Sequence, residues 1–106
     1  MADATSSVTL EFHGALADRF IALGRRHGTR TQVMVPLGAS TTVVDLLDRL
    51  ATDDSRYAHL FDVTTRVLPE HVEAVLNDRV LDLQGGLNAN LNPGDVLSFL
   101  PAHAGG

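Results

Sequence analysis

The first apolar residues alternate with polar ones, a period of two that predicts a half-buried β-strand. These residues are Val8, Leu10 and Phe12. The spacing then changes to that of one helix face at Leu16, Phe20 and Leu23. The pattern therefore predicts a strand followed by a short helix that ends at Gly24.

A second strand is predicted where Val33 and Val35 alternate with Gln32 and Met34, before Pro36 ends the pattern. Residues 25–28 precede this strand and read Arg-Arg-His-Gly, with no apolar position. We expect this polar run to form a loop.

The clearest helix begins after Thr42, which is suited to the N-cap position. Asp45 lies three residues further on, close to the capping-box arrangement, and could also pair with Arg49 at i,i+4. The apolar positions follow the spacing of one helix face and are Val43, Leu46, Leu47 and Leu50. This segment therefore predicts an amphipathic helix that packs on a sheet.

The stretch 52–69 is weakly patterned, and only Tyr57, Leu60 and Phe61 suggest one apolar turn of helix. A strand over 71–76 is then predicted, with a tight turn at Asn77-Asp78 and a return strand that begins at 80–81.

A turn at 92–95, which contains Pro and Gly, leads into a last strand over 96–100 that Pro101 should end. One main helix on a mixed sheet of four or five strands is an α+β arrangement.

The composition limits the classes of function. A chain of 106 residues has room for a single core, and a net charge of −5 argues against binding to nucleic acid. No apolar run reaches the length of a membrane span. We expect a cytoplasmic protein with a disordered leader at 1–7, a folded domain at 8–100 and a flexible tail at 101–106.

The tail ends in Gly105-Gly106, directly after an apolar strand. A backbone carboxylate reacts as an electrophile only after activation, for instance as an acyl-adenylate, and residues without a Cβ let the backbone enter a narrow active site. The chain has no cysteine, so sulfur cannot be carried on a side-chain thiol. The terminal carboxylate is therefore the candidate reactive group, although a frayed terminus also tolerates small residues.

Alternation in the last strand predicts that Leu97 and Phe99 face the helix, whereas Val96 and Leu100 lie on the other face beside the tail. Val75 on the preceding hairpin should join them. Apolar residues beside a functional tail suggest a docking patch, although scattered surface aliphatics are common.

The order of elements and several motifs resemble the MoaD/ThiS sulfur carriers, which are ubiquitin-like β-grasp proteins. The motifs are Asn77-Asp78, Gly86-Leu87, Leu91, Pro93-Gly94-Asp95-Val96, Phe99-Leu100-Pro101 and Ala104-Gly105-Gly106, together with the helix start at Thr42-Val43. The resemblance covers residues 8 to 106. It departs from the molybdopterin type at Ala102-His103-Ala104, and the stretch 52–69 is longer than in the smallest thiamin-type carriers.

The resemblance implies that an ATP-dependent, ubiquitin-activating-like enzyme adenylates Gly106, and that sulfur then replaces AMP to give a thiocarboxylate. Gly105 would give access to the active site, and the strand face near Leu100 would dock. The remaining partner contacts would come from the tail residues Pro101, Ala102, His103 and Ala104. His103 could instead be an ordinary tail residue.

The implied acceptor is a sulfur-accepting biosynthetic enzyme such as a molybdopterin synthase large subunit, although cysteine, thiamin and natural-product pathways stay open. The chain itself would not be an enzyme and would bind no cofactor or metal, because ATP is used by the activating partner. Its five histidines show no metal-ligand spacing.

Two other hypotheses remain open. In the first, the protein is a ubiquitin-like modifier that is joined through Gly106 to lysines of target proteins. In the second, it is a binding module of the same fold with an idle tail.

Overall fold

A computed structural model describes residues 6–62 and 64–102. The secondary structure consists of six strands and three α-helices, with short 3₁₀ turns at Ile21–Leu23, Leu81–Gln84 and Gly86–Asn88. The strands are β1 (Ser7–His13), β2 (Arg25–His27), β3 (Arg30–Pro36), β4 (Val72–Leu76), β5 (Arg79–Val80) and β6 (Val96–Pro101). The helices are α1 (Ala15–Arg19), α2 (Val43–Asp53) and α3 (Ser55–Ala58).

The strands form one mixed sheet in the order β2-β3-β1-β6-β4-β5. The central pair, β1 and β6, is parallel, and each of the other neighbouring pairs is antiparallel. This arrangement, with α2 packed across the sheet, confirms the predicted α+β class and the β-grasp fold.

The sheet has six strands rather than the predicted four or five, because Arg25–His27 is a strand and not a loop. β2 pairs with β3 through a tight hairpin, and Gly28 takes a φ of +62° in the turn. All three residues of β2 are exposed, so the strand has no buried side that would place apolar residues in its sequence.

The main helix begins as predicted. The Asp45 backbone N–H donates to Thr42 Oγ1 at 3.2 Å, and the buried helix residues are Val43, Leu46, Leu47 and Leu50. The predicted pair of Asp45 and Arg49 is wrong. Arg49 instead donates to the backbone carbonyls of Leu37 and Pro36, because these groups at the end of β3 lie within reach of its guanidinium.

The core lies between α2 and one face of the sheet. The ring of Phe12 stacks on Phe20, with centroids 3.9 Å apart, and on Phe99, with centroids 5.4 Å apart. Tyr57 closes this cluster and is the one member of the predicted apolar turn of helix that lies in α3; Leu60 and Phe61 follow the helix and are also buried. The aromatic cluster therefore joins both central strands to the helical layer.

The predicted hairpin between β4 and β5 is present. Asn77 and Asp78 have φ values of +51° and +73°, the left-handed region that a two-residue hairpin turn uses. The return strand is shorter than predicted, because Leu81 begins a 3₁₀ turn and is buried.

β1 begins at Ser7 and β6 continues through Pro101, one residue beyond each predicted strand boundary. The division into a leader, a domain and a tail stays a prediction, because 1–5 and 103–106 lie outside the described residues. No helix in the described part of the chain is long and apolar enough to cross a membrane.

Candidate functional site

Pro101 and Ala102, which we term the root of the tail, are held in place at the end of β6. Pro101 is paired with Val72 across the antiparallel ladder, and the Ala102 N–H donates to the His71 carbonyl at 2.7 Å. Both Pro101 and Ala102 are half-buried. The last described residues are therefore held against the start of β4.

Four residues predicted to act in the tail lie outside the described residues. They are His103, Ala104, Gly105 and Gly106. Their assigned roles stay predictions.

A close contact supports the root of the tail from the side of β1. Gly14 has a φ of +61°, and a Cβ at this position would lie 3.1 Å from Pro101 Cγ. A side chain here would be strained by its own backbone and would also press on Pro101. Glycine at this position lets the turn after β1 pack against the end of β6.

The predicted apolar patch lies on the face of the sheet opposite α2, which we term the open face. Val96 and Leu100 flank Ser98 along β6, and Val75 lies opposite Ser98 on β4. All three apolar residues are half-buried, whereas Leu97 and Phe99 on the other face are completely buried. The structure therefore brings Val75, Val96 and Leu100 together on one surface at the base of the tail.

A carboxylate that the sequence analysis did not single out lies beside this patch. Glu11 pairs in register with Ser98, and its side chain is only 14% exposed. Gln32 Nε2 donates to Glu11 Oε2 at 2.6 Å, and Ser98 Oγ lies 3.4 Å from Oε1. His13 Nε2 and Arg30 Nη1 lie 3.5 and 3.9 Å from the carboxylate oxygens.

These neighbours keep Glu11 ionised. Burial alone raises the pKa of a carboxyl group, but the hydrogen bond from Gln32 and the positive charge of Arg30 outweigh it, so the pKa of Glu11 is lowered. The open face therefore presents a fixed negative charge beside an apolar patch. In the sequence, only the alternation of Glu11 with core residues indicates that it lies on the open face. Its contacts with other side chains depend on the register of three strands.

The arrangement is suited to binding another molecule. The polar side chains of the open face satisfy one another, and within 6–62 and 64–102 no three His, Asp or Glu residues lie together as a metal site would need. The half-buried aliphatics offer apolar area to a partner, and the paired side chains around Glu11 hold this surface in one arrangement.

Comparison with known protein families gives a match over most of the chain. The sequence model of the ThiS family matches residues 25–106. The chain belongs to the ThiS family. The matched region includes β6 and the closing diglycine, so the resemblance to MoaD/ThiS proteins is confirmed at the level of the family. No curated protein sequence matches this ThiS-family chain.

Several solved structures share the fold. The solution structure of Urm1 from Trypanosoma brucei is 24% identical with a TM-score of 0.63, covering 95% of this chain and 96% of that one. The crystal structure of SAMP1 from Haloferax volcanii is 20% identical with a TM-score of 0.62, covering 94% and 99%. A chain of the Amycolatopsis orientalis BexX/CysO complex is 24% identical with a TM-score of 0.60, covering 93% and 99%.

Proposed function

We propose that this ThiS-family protein is a sulfur carrier whose Gly106 carboxylate is converted to a thiocarboxylate. The family match, which extends through Gly105 and Gly106, is the observation that carries this proposal. The fixed strand end at Ala102 and the open-face patch support it, because together they offer a docking surface beside a short tail. The protein itself would bind no cofactor and would act in the cytoplasm.

The proposed cycle loads sulfur onto Gly106 in two steps and then releases it. A carboxylate oxygen of Gly106 first attacks the α-phosphorus of ATP in a ubiquitin-activating-like enzyme, releasing pyrophosphate. Sulfide then attacks the carbonyl carbon of the acyl-adenylate and expels AMP, which leaves a thiocarboxylate. The sulfur passes to a biosynthetic enzyme, and hydrolysis restores the carboxylate.

The acceptor we favour is one that builds a molybdopterin-type cofactor, such as a molybdopterin synthase large subunit. Cysteine, thiamin and natural-product pathways use the same chemistry on the carrier and are the alternatives. Identifying which sulfur-accepting enzymes the same organism encodes would distinguish the molybdopterin pathway from these alternatives.

Intact-protein mass spectrometry tests the carrier chemistry. After incubation with ATP, the activating enzyme of the same organism and sulfide, we expect a species in which one sulfur has replaced one oxygen. A variant that lacks Gly106 is the matched control and should stay unchanged. If the wild-type mass does not shift while the enzyme consumes ATP with another carrier, the proposal is wrong.

A second candidate function is a protein modifier, with Gly106 joined to target lysines. The solved structures that share the fold include small archaeal modifier protein 1 (SAMP1) from Methanosarcina acetivorans. An N-terminally tagged chain should then give higher-mass conjugates in cell lysate, and these should vanish when Gly106 is deleted. A lysate without conjugates would exclude this function under the conditions used.

A further inference from the structure

A groove of about 480 Å³ lies at the edge of the sheet, away from the centre of the open face. It borders the first three residues of β4, beyond the part of that strand that pairs with β5. Its apolar floor includes Val72, Leu81 and Leu87, and Ala102 at the root of the tail also lines it. We term it the acidic groove, after the carboxylates on its rim: Glu70, Glu73 and Asp82.

Apolar surface is concentrated here. Five large hydrophobic side chains of the described residues are exposed, and two of them, Val67 and Val80, line the acidic groove. A third, Leu83, follows the rim residue Asp82 in sequence and is 82% exposed. Exposed aliphatic side chains in a groove with a polar rim are typical of a site that binds another molecule.

The charge of the groove has one sign. Glu70, Glu73 and Asp82 are exposed, and none of them forms an ion pair with another residue in 6–62 or 64–102. The arginines nearest to the groove in sequence do not pair with these carboxylates. Arg66 donates to Asp48 at 3.0 Å, and Arg79 is not among the residues that line the groove.

An apolar floor beneath unpaired carboxylates matches the chemistry of an arginine side chain. Its methylene groups can lie on aliphatic residues, and its guanidinium can form paired hydrogen bonds with a carboxylate. Lysine offers the same charge without the planar donors, and a neutral apolar residue would leave the carboxylates without a partner.

We propose that the acidic groove binds an arginine-bearing apolar segment of a protein partner. The arginine stem would pack on the exposed Val67 and Val80, with its guanidinium among the rim carboxylates. The groove adjoins the patch of Val75, Val96 and Leu100 at Glu73, which pairs with Leu100, but extends from there over residues 67–70 and 80–87. The inference does not depend on the chemistry of Gly106. Because Ala102 lines the groove, a partner bound there would also contact the base of the tail.

NMR titration of the ¹⁵N-labelled full chain tests this inference. The probe is a capped Leu-Arg-Leu-Arg-Leu peptide, and the control peptide carries citrulline, a neutral analogue, in place of each arginine. We expect saturable shifts at Val72, Glu73, Leu81 and Ala102 with the arginine peptide and much weaker binding of the control. Shifts that map to Val96 and Ser98 instead, or no saturation at millimolar peptide, would overturn the proposal.

Variants in which neutral amides replace the rim carboxylates test whether those carboxylates supply the binding energy. The triple variant Glu70→Gln, Glu73→Gln, Asp82→Asn should raise the dissociation constant by about tenfold or more, since charge-assisted hydrogen bonds are lost. Asp53→Asn, at the exposed end of α2 and outside the groove, tests whether the effect is only one of net charge and should change it little.

Equal binding by the triple variant and the wild type would contradict the inference, and so would equal losses in the triple variant and Asp53→Asn after correction for net charge. Free arginine is a last comparison. If it binds as tightly as the peptide, the groove is a small-molecule site and the proposed protein segment is wrong.

Discussion

On the face of the sheet that α2 covers, Leu97 and Phe99 are completely buried, whereas on the open face their neighbour Ser98 meets the half-buried carboxylate of Glu11. The same two strands build both faces. The covered face is stabilised by apolar burial and aromatic packing, which tolerates few changes. The open face is organised by hydrogen bonds and ion pairs, which fix side chains at little gain in stability. The residues of the covered face therefore determine the fold, which leaves the residues of the open face free to form a surface that binds a partner.

The largest expected effect is on the covered face. Phe99→Ala would remove a ring stacked on Phe12 and leave a cavity, and we expect a loss of about 3–5 kcal/mol in the free energy of unfolding. Urea unfolding followed by circular dichroism measures it. A loss below about 1 kcal/mol would mean that the core collapses onto the cavity.

The next effect concerns a polar group on the covered face. Thr31 is completely buried, and its Oγ1 donates to the Ala17 carbonyl at 2.8 Å. Thr31→Val keeps the shape but leaves this carbonyl without its donor, so we expect a loss of about 1–3 kcal/mol. The same unfolding assay measures it, and Thr64→Val, at an exposed position, is the control.

A smaller, pH-dependent effect is expected on the open face. The pKa of Glu11 is lowered in the folded state, so its charge stabilises the fold above the ordinary carboxyl pKa of about 4.3 and this stabilisation is lost as the pH falls through the lower folded-state value. Glu11→Gln should therefore be less stable than the wild type by about 1 kcal/mol at neutral pH. The difference should shrink on acidification, and a difference that stays constant with pH would contradict this cause.

The smallest effect on stability is expected at Leu100. Because this side chain is half-buried on the open face, Leu100→Ala should cost about 0.5 kcal/mol. If the open face docks the activating enzyme, the same variant should raise the KM for the carrier in adenylation while kcat stays near the wild-type value. An unchanged KM would remove Leu100 from the proposed docking patch.

Much of the covered face could be predicted from the sequence, because burial imposes a period on the apolar residues. The period of α2 and the alternation in β1 and β6 follow directly from their contact with the core. β2 could not be predicted in this way, since all of its side chains are exposed and its only requirement is a backbone partner.

The polar contacts were the least predictable part of the candidate site. The pairing of Asp45 with Arg49 was expected from helix spacing alone, but the carbonyls of Leu37 and Pro36 compete for the same guanidinium. The neighbours of Glu11 likewise come from strands that are distant in sequence, and only the sheet register brings them together.

The hydrogen bond between Ala102 and His71 limits how far the Gly106 carboxylate can lie from the sheet. Gly106 lies four residues beyond Ala102, and an extended chain advances at most about 3.3–3.6 Å per residue, so the carboxylate can reach no further than roughly 14 Å from the sheet. If an enzyme activates Gly106 as proposed, it must bring its nucleotide within this radius while it docks on the domain. Lengthening the tail by inserted glycines would relax that requirement and would separate docking from delivery.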